Sequence, residues 1–391
     1  MSEHQGMVEV EVTALAAGGD GVARDEGGRV TFVPRTAVGD RVRVKLVKEA
    51  KSFARGELVD IVAPSADRVE APCEYFRAGC GGCQWQHVSR AAQLAAKQAI
   101  VAGALRNLTD LAIEPVADPA PPYGWRRRAR FHVVGGKVGL YATASHRVIP
   151  IEHCPQLEPE LDAAVRVVAA ASPPDGELAF VRAHDGAIAV GVERAWRGAA
   201  SLVGRARIVG VLDDDHRHGT PIVEIEPGLW TGPWDFAQAS AAGNAAMIAI
   251  ARAALGRGPG RLLELHAGAG NFTRAFVEDR WDVLATDVAA PPKPIDGARF
   301  ETGKAERVLA RSAGPFDAIV LDPPRTGAAE AVEGIVKHAP KVIVYISCDP
   351  ATLGRDAARL VAAGYRAERA WPIDLMPQTS HVEVVMRLVK A

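Results

Sequence analysis

Between residues 7 and 62 apolar and polar positions alternate with a period of two. VEVEVTAL, RVTFV, RVRVKLV and GELVDIV are rich in β-branched residues and are broken by GGDG and DEGG turns. Successive side chains of a strand point to opposite faces, so each run predicts a strand with one buried face. Five such strands predict a small OB-like β-barrel over residues 1–65, a scaffold that often binds RNA.

From 66 to 228 the pattern is mixed and predicts a central α+β domain. A helix is expected near 89–107, and FHVVGGKVGLYAT reads as a hairpin around its VGGKV turn. ELAFVRA, AIAVGV and ARIVGVL continue it as antiparallel strands. After EPGLW the character changes. SAAGNAAMIAIARAAL predicts a long helix, and RLLELHAGAGNF, WDVLATDV, FDAIVLDPPR and KVIVYISCDP are four strand-to-loop units in order. Such alternation predicts a parallel, doubly wound, Rossmann-like α/β domain over residues 229–391.

Length agrees with three domains, since 391 residues exceed one small core. The MSEHQGMVEV start has acidic residues where a signal peptide has a basic region, and no run of about 18 apolar residues occurs. A cytoplasmic protein is expected, monomeric by default. Net charge is −1, so a nucleic-acid partner would have to be met by local patches. Two exist: RVRVKLVKEAKSFAR (41–55), in which Arg41, Arg43 and Lys45 share one strand face, and WRRRARFH (125–132).

Five cysteines occur, and clustered thiols outside a secretory context point to metal or catalysis. Cys73, Cys80 and Cys83 form a C-x6-C-x2-C array whose glycines allow a tight loop, and Cys154 in IEHCPQL follows as a distant fourth thiol. Four thiolates suit zinc or an iron–sulfur cluster, and spacing does not choose between them. Cys348 stands alone, where an apolar run ends and a helix is expected to begin.

In LLELHAGAGNF a strand runs into Gly268, Ala269 and Gly270, which lets backbone approach a ligand at the sheet's switch point. Asp287 closes the next strand, 17 residues beyond Gly270, where a carboxylate can accept from ribose hydroxyls. This pairing could serve a dinucleotide or S-adenosylmethionine. Asn271-Phe272 in place of a third glycine favours the methyl donor. LDPPR (321–325) ends a later strand at the same face, its prolines stiffening the loop; acid-Pro-Pro segments of this kind line the cleft of nucleic-acid base methyltransferases.

Taken with KSFARGEL, CEYFRAGCGGCQWQH, HCPQL, the FAQ of 236–238, ISCDPATLGRD and the HVE of 381–383, the chain resembles a TRAM-domain, iron–sulfur-containing RNA uracil-5-methyltransferase over nearly its whole length. The resemblance implies that Cys348 adds to C6 of a uracil, making C5 nucleophilic toward the methyl sulfonium, and that Glu383 removes the C5 proton so that the thiol can leave. A helix N-terminus at Asp349-Pro350 is expected to lower the Cys348 pKa, with Asp349 opposing.

The same resemblance implies Gln238, His266, Asn271, Asp287, Lys304 and Asp322 around the methyl donor, with Gln238 and Asp322 also near the uracil. It further implies a [4Fe-4S] cluster on Cys73, Cys80, Cys83 and Cys154, zinc being the alternative. The substrate implied is 23S rRNA, with the tRNA T-loop as rival; an RNA-binding cluster protein without turnover is the reading from another class. Because paired RNA hides uracil ring faces, the target would lie in a loop or be flipped out, with the arginines of 125–132 and the basic barrel strand on phosphates. Three positions depart from the family pattern: the first cysteine spacing is one residue longer, Lys304 stands for Asn or Asp, and Ser240 replaces an Asn after FAQ.

Overall fold

The computed structural model describes residues 7–25 and 27–391, so the MSEHQG start and Glu26 of the DEGG turn lie outside the described residues. Strands Met7–Leu15, Gly21–Arg24, Val30–Val33, Arg41–Glu49 and Phe53–Ala63 close into a barrel. The alternation sets its two faces: Val42 and Val44 enter a core with Val10, Val12, Ala23 and Val33, while Arg41, Arg43 and Lys45 face water. Arg41 and Arg43 are partly neutralised by Glu9 and Asp60.

The middle of the chain holds a seven-stranded sheet. Arg128–Val134 and Lys137–Tyr141 form the expected hairpin, with Gly135 and Gly136 both at positive φ, 58° and 73°, as a two-residue turn of this hand requires. Gly176–Arg182 and Ile188–Val192 continue antiparallel, but Ile188–Val192 pairs parallel with Ile208–Asp213. Helix Pro159–Ala170 buries Leu161, Val165 and Val168 in the same core, each worth about 1.5–3 kcal/mol of apolar burial.

An eight-stranded sheet dominates the C-terminal half. Arg261–Leu265, Asp282–Asp287, Ala298–Thr302, Ala318–Leu321 and Val342–Ser347 run parallel, and Glu383–Lys390 is inserted antiparallel beside Val342–Ser347. The order reverses between Arg261–Leu265 and Ala318–Leu321, which opens a crevice at their carboxyl ends. Two elements of the 66–228 segment join this half. Helix Arg90–Leu105 packs Val101 and Leu105 into the C-terminal core, and Ala112–Ile113 adds an edge strand. Among the described residues no helix is long and apolar enough to cross a membrane.

Candidate active site

Strand register decides which side chains meet. Ser347 pairs with Val384 across the antiparallel pair, so Cys348, one residue on, comes opposite Glu383 at the start of the neighbouring strand. Leu321 pairs with Tyr345 on the other side, which brings Asp322 to the same edge. The groups sense one another. Burial pushes the Glu383 carboxyl up to about 8, the Asp322 carboxylate adding to the shift and Arg325 opposing it. Asp322 is raised to about 7 by burial alone.

Cys348 departs from expectation. Burial raises its thiol to about 11, with Glu383 and Asp322 reinforcing the rise and Arg325 opposing it. The helix N-terminus gives no net relief because Asp349 is itself the N-cap: its Oδ1 accepts from the amides of Ala351 and Thr352, both at 2.9 Å, and Pro350 has no amide to offer. The first-turn donors are therefore directed at a carboxylate. A thiolate here needs a positive group close by, and a methyl sulfonium would be one.

Beside this cluster lies a cavity of about 310 Å³ lined by His266, Asp287, Val288, Lys304, Glu306 and Pro324 among others. Its volume falls in the range of small-molecule sites. His266 has φ +61°, and its Nε2 is buried without a hydrogen-bond partner. Strain and an orphaned polar atom at one residue, on the cavity wall, fit a site built for a ligand. Gly268 and Gly270 make the turn above it. At φ +90° a side chain at Gly270 is strained, and its Cβ would stand 1.8 Å from Ile295 Cδ1, so glycine suits the turn.

Asp287 ends strand Asp282–Asp287 on the cavity wall and holds the turn: Oδ2 accepts from the Gly268 amide at 2.8 Å and Oδ1 from Val288 at 2.6 Å. Its remaining lone pairs are free for ribose hydroxyls. Lys304 lines the cavity as the N-cap residue of Ala305–Arg311.

Asn271 is engaged elsewhere. Its amide pairs reciprocally with Asn244, both bonds at 2.8 Å, and Asn244 also donates to Glu226. Gln238 is half-buried on the segment leading into helix Ala241–Leu255, where its carbonyl accepts from Arg127 Nε at 3.1 Å. Ser240, the family departure after FAQ, caps that helix by accepting from Gly243 at 3.0 Å.

Cys73, Cys80, Cys83 and Cys154 line one cavity of about 90 Å³, walled by Phe76, Phe131, Leu140 and Arg126. Burial lifts Cys83 to about 12 and Cys154 to about 11. Gly82 N donates to Cys80 Sγ at 3.4 Å. Among the described residues no three His, Cys, Asp or Glu converge tightly enough to hold a single metal ion. The four thiols share the wall of that one cavity.

The 125–132 arginines divide. Arg127 is buried and donates to Ile225 O, Gln238 O and Glu226, so it braces the fold and is not free for phosphate. Arg126 faces the cysteine cavity, while Arg128 and Arg130 lie over Phe236 and Trp234 at 5.9 and 5.5 Å. Phe236 is 69% exposed. Sequence reasoning passed over Glu264, Arg325 and His381. Glu264 is buried beneath the glycine turn with its carboxyl raised to about 8 by burial, one oxygen accepting from Thr273 and the other unpartnered. A lone acid inside the apolar run RLLEL was the available signal.

Known proteins resemble this chain over most of its length. The TRAM domain family matches residues 4–59, and the tRNA (Uracil-5-)-methyltransferase family matches residues 310–391. A 23S rRNA (uracil(1939)-C(5))-methyltransferase of Pseudomonas putida is 33% identical, over 96% of this chain and 92% of its own. An uncharacterized RNA methyltransferase of Streptomyces coelicolor is 34% identical, over 98% of this chain and 93% of its own. Pyrococcus abyssi tRNA (uracil-54, C5)-methyltransferase, solved with S-adenosyl-L-homocysteine, shares the fold: TM-score 0.76 at 19% identity, covering 98% of this chain and all of that one. The chain belongs to the TRAM-domain family of S-adenosylmethionine-dependent RNA uracil-5-methyltransferases.

Proposed function

We propose that this chain methylates C5 of a specific uridine in 23S rRNA through a covalent adduct on Cys348. The observation that carries the reading is the meeting of Cys348, Glu383 and Asp322 at one strand edge beside the donor cavity. Bound in that cavity, S-adenosylmethionine supplies an electrophilic methyl carbon. Burial first, with Glu383 and Asp322 adding to it, holds the Cys348 thiol protonated, and a positive sulfonium beside it would favour the thiolate.

The Cys348 thiolate adds to C6, and the C5=C6 electron pair becomes the nucleophile that takes the methyl group in line as the methyl–sulfur bond breaks and S-adenosylhomocysteine leaves. C5 then carries both methyl and hydrogen. Glu383 takes that proton, the electron pair re-forms C5=C6, and the C6–S bond breaks to return the thiolate. Asp322, at the same strand edge as Cys348 and Glu383, is suited to hold the uracil edge. Burial matters here, because a base near pKa 8 holds a proton more strongly than an exposed carboxylate.

Four cysteines around one cavity would hold a [4Fe-4S] cluster, with zinc the alternative on the same four thiols. Bound there, such a cluster would be held by Cys73, Cys80, Cys83 and Cys154 and would fix the loop. Methyl transfer moves no net electrons, so a structural role suffices. The exposed barrel face and the Arg128, Arg130, Trp234 and Phe236 surface offer cations and stacking faces for unpaired RNA. The 23S rRNA assignment leans on relatives about one-third identical over nearly the full chain.

The test is incubation with radiolabelled S-adenosylmethionine and total RNA lacking 5-methyluridine, followed by separation of rRNA from tRNA and nucleoside analysis. Label in 5-methyluridine of large-subunit rRNA is the expected result. Label in tRNA alone overturns the substrate, and no label in either overturns the activity.

A further inference from the structure

Glu383 is reached through a loop, Asp374–Val382, that a distant part of the chain grips. Immediately after Cys83, the amides of Gln84 and Trp85 both donate to Gln378 O at 3.0 Å. The Gln93 side chain closes a second ring on the same residue: its Nε2 donates to Gln378 Oε1 at 3.0 Å, and its Oε1 accepts from Gln378 N at 3.1 Å. Gln93 Nε2 also reaches Trp85 O at 3.0 Å and Val88 O at 2.9 Å. Trp85 is fully buried and donates from its indole to Gly19 O of the barrel at 2.9 Å. One turn along the helix from Gln93, Lys97 Nζ donates to Asp374 Oδ1 at 2.5 Å, and both residues are wholly buried.

Gln378 itself stands at φ +67°, a conformation that side-chain-bearing residues rarely adopt. Such strain persists where surrounding bonds over-determine it. An apolar contact would hold the loop against the sheet with less desolvation, whereas polar bonds fix a single register. From Gln378 the chain runs through Thr379, whose hydroxyl donates to Met376 O at 2.7 Å and accepts from His381 N at 3.3 Å, and then to Glu383.

We propose that Gln84, Trp85 and Gln93 are positioning residues for the general base: they hold Gln378, and through it the turn presenting Glu383, so the four-thiol loop governs proton removal from C5 and not attack on C6. The inference rests on the methylation reading above. Cys348 is held by a different strand, Val342–Ser347, and by the Asp349 cap, so loosening the Gln378 grip leaves the nucleophile in place. Elimination is then the slowed step, and the C6–S adduct accumulates.

Three variants of the full-length protein test this. Gln93→Ala removes the side-chain ring, and Gln378→Val opposes the positive φ. Gln378→Gly relaxes the backbone while keeping the carbonyl that Gln84 and Trp85 bind. Denaturing gels of enzyme with uridine-containing RNA and S-adenosylmethionine should show covalent protein–RNA adduct accumulating in Gln93→Ala and Gln378→Val. Turnover should fall about tenfold, the worth of one buried hydrogen bond to positioning, at unchanged KM for the methyl donor. Gln378→Gly should show less adduct than Gln378→Val. Adduct and turnover falling together in both would overturn the proposal.

Amide exchange gives a readout that needs no turnover. In Cys83→Ser, exchange of residues 378–383 should quicken about tenfold, while strand Arg261–Leu265 stays unchanged. Unchanged exchange at 378–383 would break the link to the thiol loop. A wild-type protein that makes neither adduct nor 5-methyluridine would count against the methylation reading, and the exchange result would still decide the grip.

Discussion

Replacing Glu383 by Gln separates its chemistry from its electrostatics. In the folded protein burial holds the carboxyl near pKa 8, against about 4.5 when exposed. A group whose folded pKa is raised stabilises the fold fully below about pH 4.5, and that contribution is lost as pH rises through about 8. Each pH unit across this window is worth about 1.4 kcal/mol, so the full gap sets a ceiling of about 5 kcal/mol, and relaxation around the charge brings it to about 2–5 kcal/mol. Glutamine is neutral throughout. The stability of Glu383→Gln relative to wild type should therefore rise by about 2–5 kcal/mol between pH 5 and pH 9. Urea unfolding followed by tryptophan fluorescence at both pH values measures it. Glu264, also raised to about 8, is common to both proteins and cancels. An equal difference at the two pH values would refute a buried, protonated Glu383. The same variant should form the C6–S adduct and fail to release it, and wild-type kcat/KM should climb with pH toward about 8 as the base ionises.

Cys348→Ala should abolish both methylation and adduct, read by label incorporation and denaturing gels; measurable turnover would sink the covalent route. Asp349→Ala should cost about 1 kcal/mol through loss of the cap bonds to Ala351 and Thr352, measured by urea unfolding, and should lower the Cys348 pKa, measured by the pH dependence of alkylation. Asp374→Ala should cost about 3–5 kcal/mol in the same unfolding assay, because it leaves Lys97 charged, fully buried and without its carboxylate. Ala339→Gly should add about 0.5–1 kcal/mol, since Ala339 ends helix Val332–His338 at φ +47°.

How far the sequence could be read depends on how local each signal is. Period-two alternation needs only neighbouring residues, which is why the Val42 and Val44 face and the Arg41, Arg43 and Lys45 face were legible. Gly135-Gly136 announced a turn for the same reason. The pairing of Ile188–Val192 with Ile208–Asp213 was not legible, because parallel register is set by a crossover and both strands are almost wholly apolar. Ala112–Ile113 is too short to carry a period. Arg127 looked like its basic neighbours, and only the fold shows that its guanidinium is consumed by Ile225, Gln238 and Glu226. The pairing of Asn271 with Asn244 was not legible either, because Asn244 sits 27 residues earlier on a helix whose facing side no local pattern fixes.

Cys348 makes the same point about chemistry. A helix beginning right after a thiol reads as a device for lowering its pKa, yet that inference counts the helix and omits the cap. Asp349 takes the two amides that would have faced sulfur, and Glu383 and Asp322 arrive from strands that lie far off in sequence. Burial first, and these neighbours with it, hold the resting thiol protonated. Such a nucleophile is safe from adventitious alkylation and oxidation until a cation enters, because reactivity follows the thiolate. The methyl donor is that cation, so the arrangement that makes Cys348 inert alone makes its activation depend on the co-substrate. Ordered binding is the kinetic form of this dependence: the protein with RNA but no S-adenosylmethionine should form adduct more slowly than with a non-transferring sulfonium analogue, and equal rates in the two would show that another group ionises the thiol.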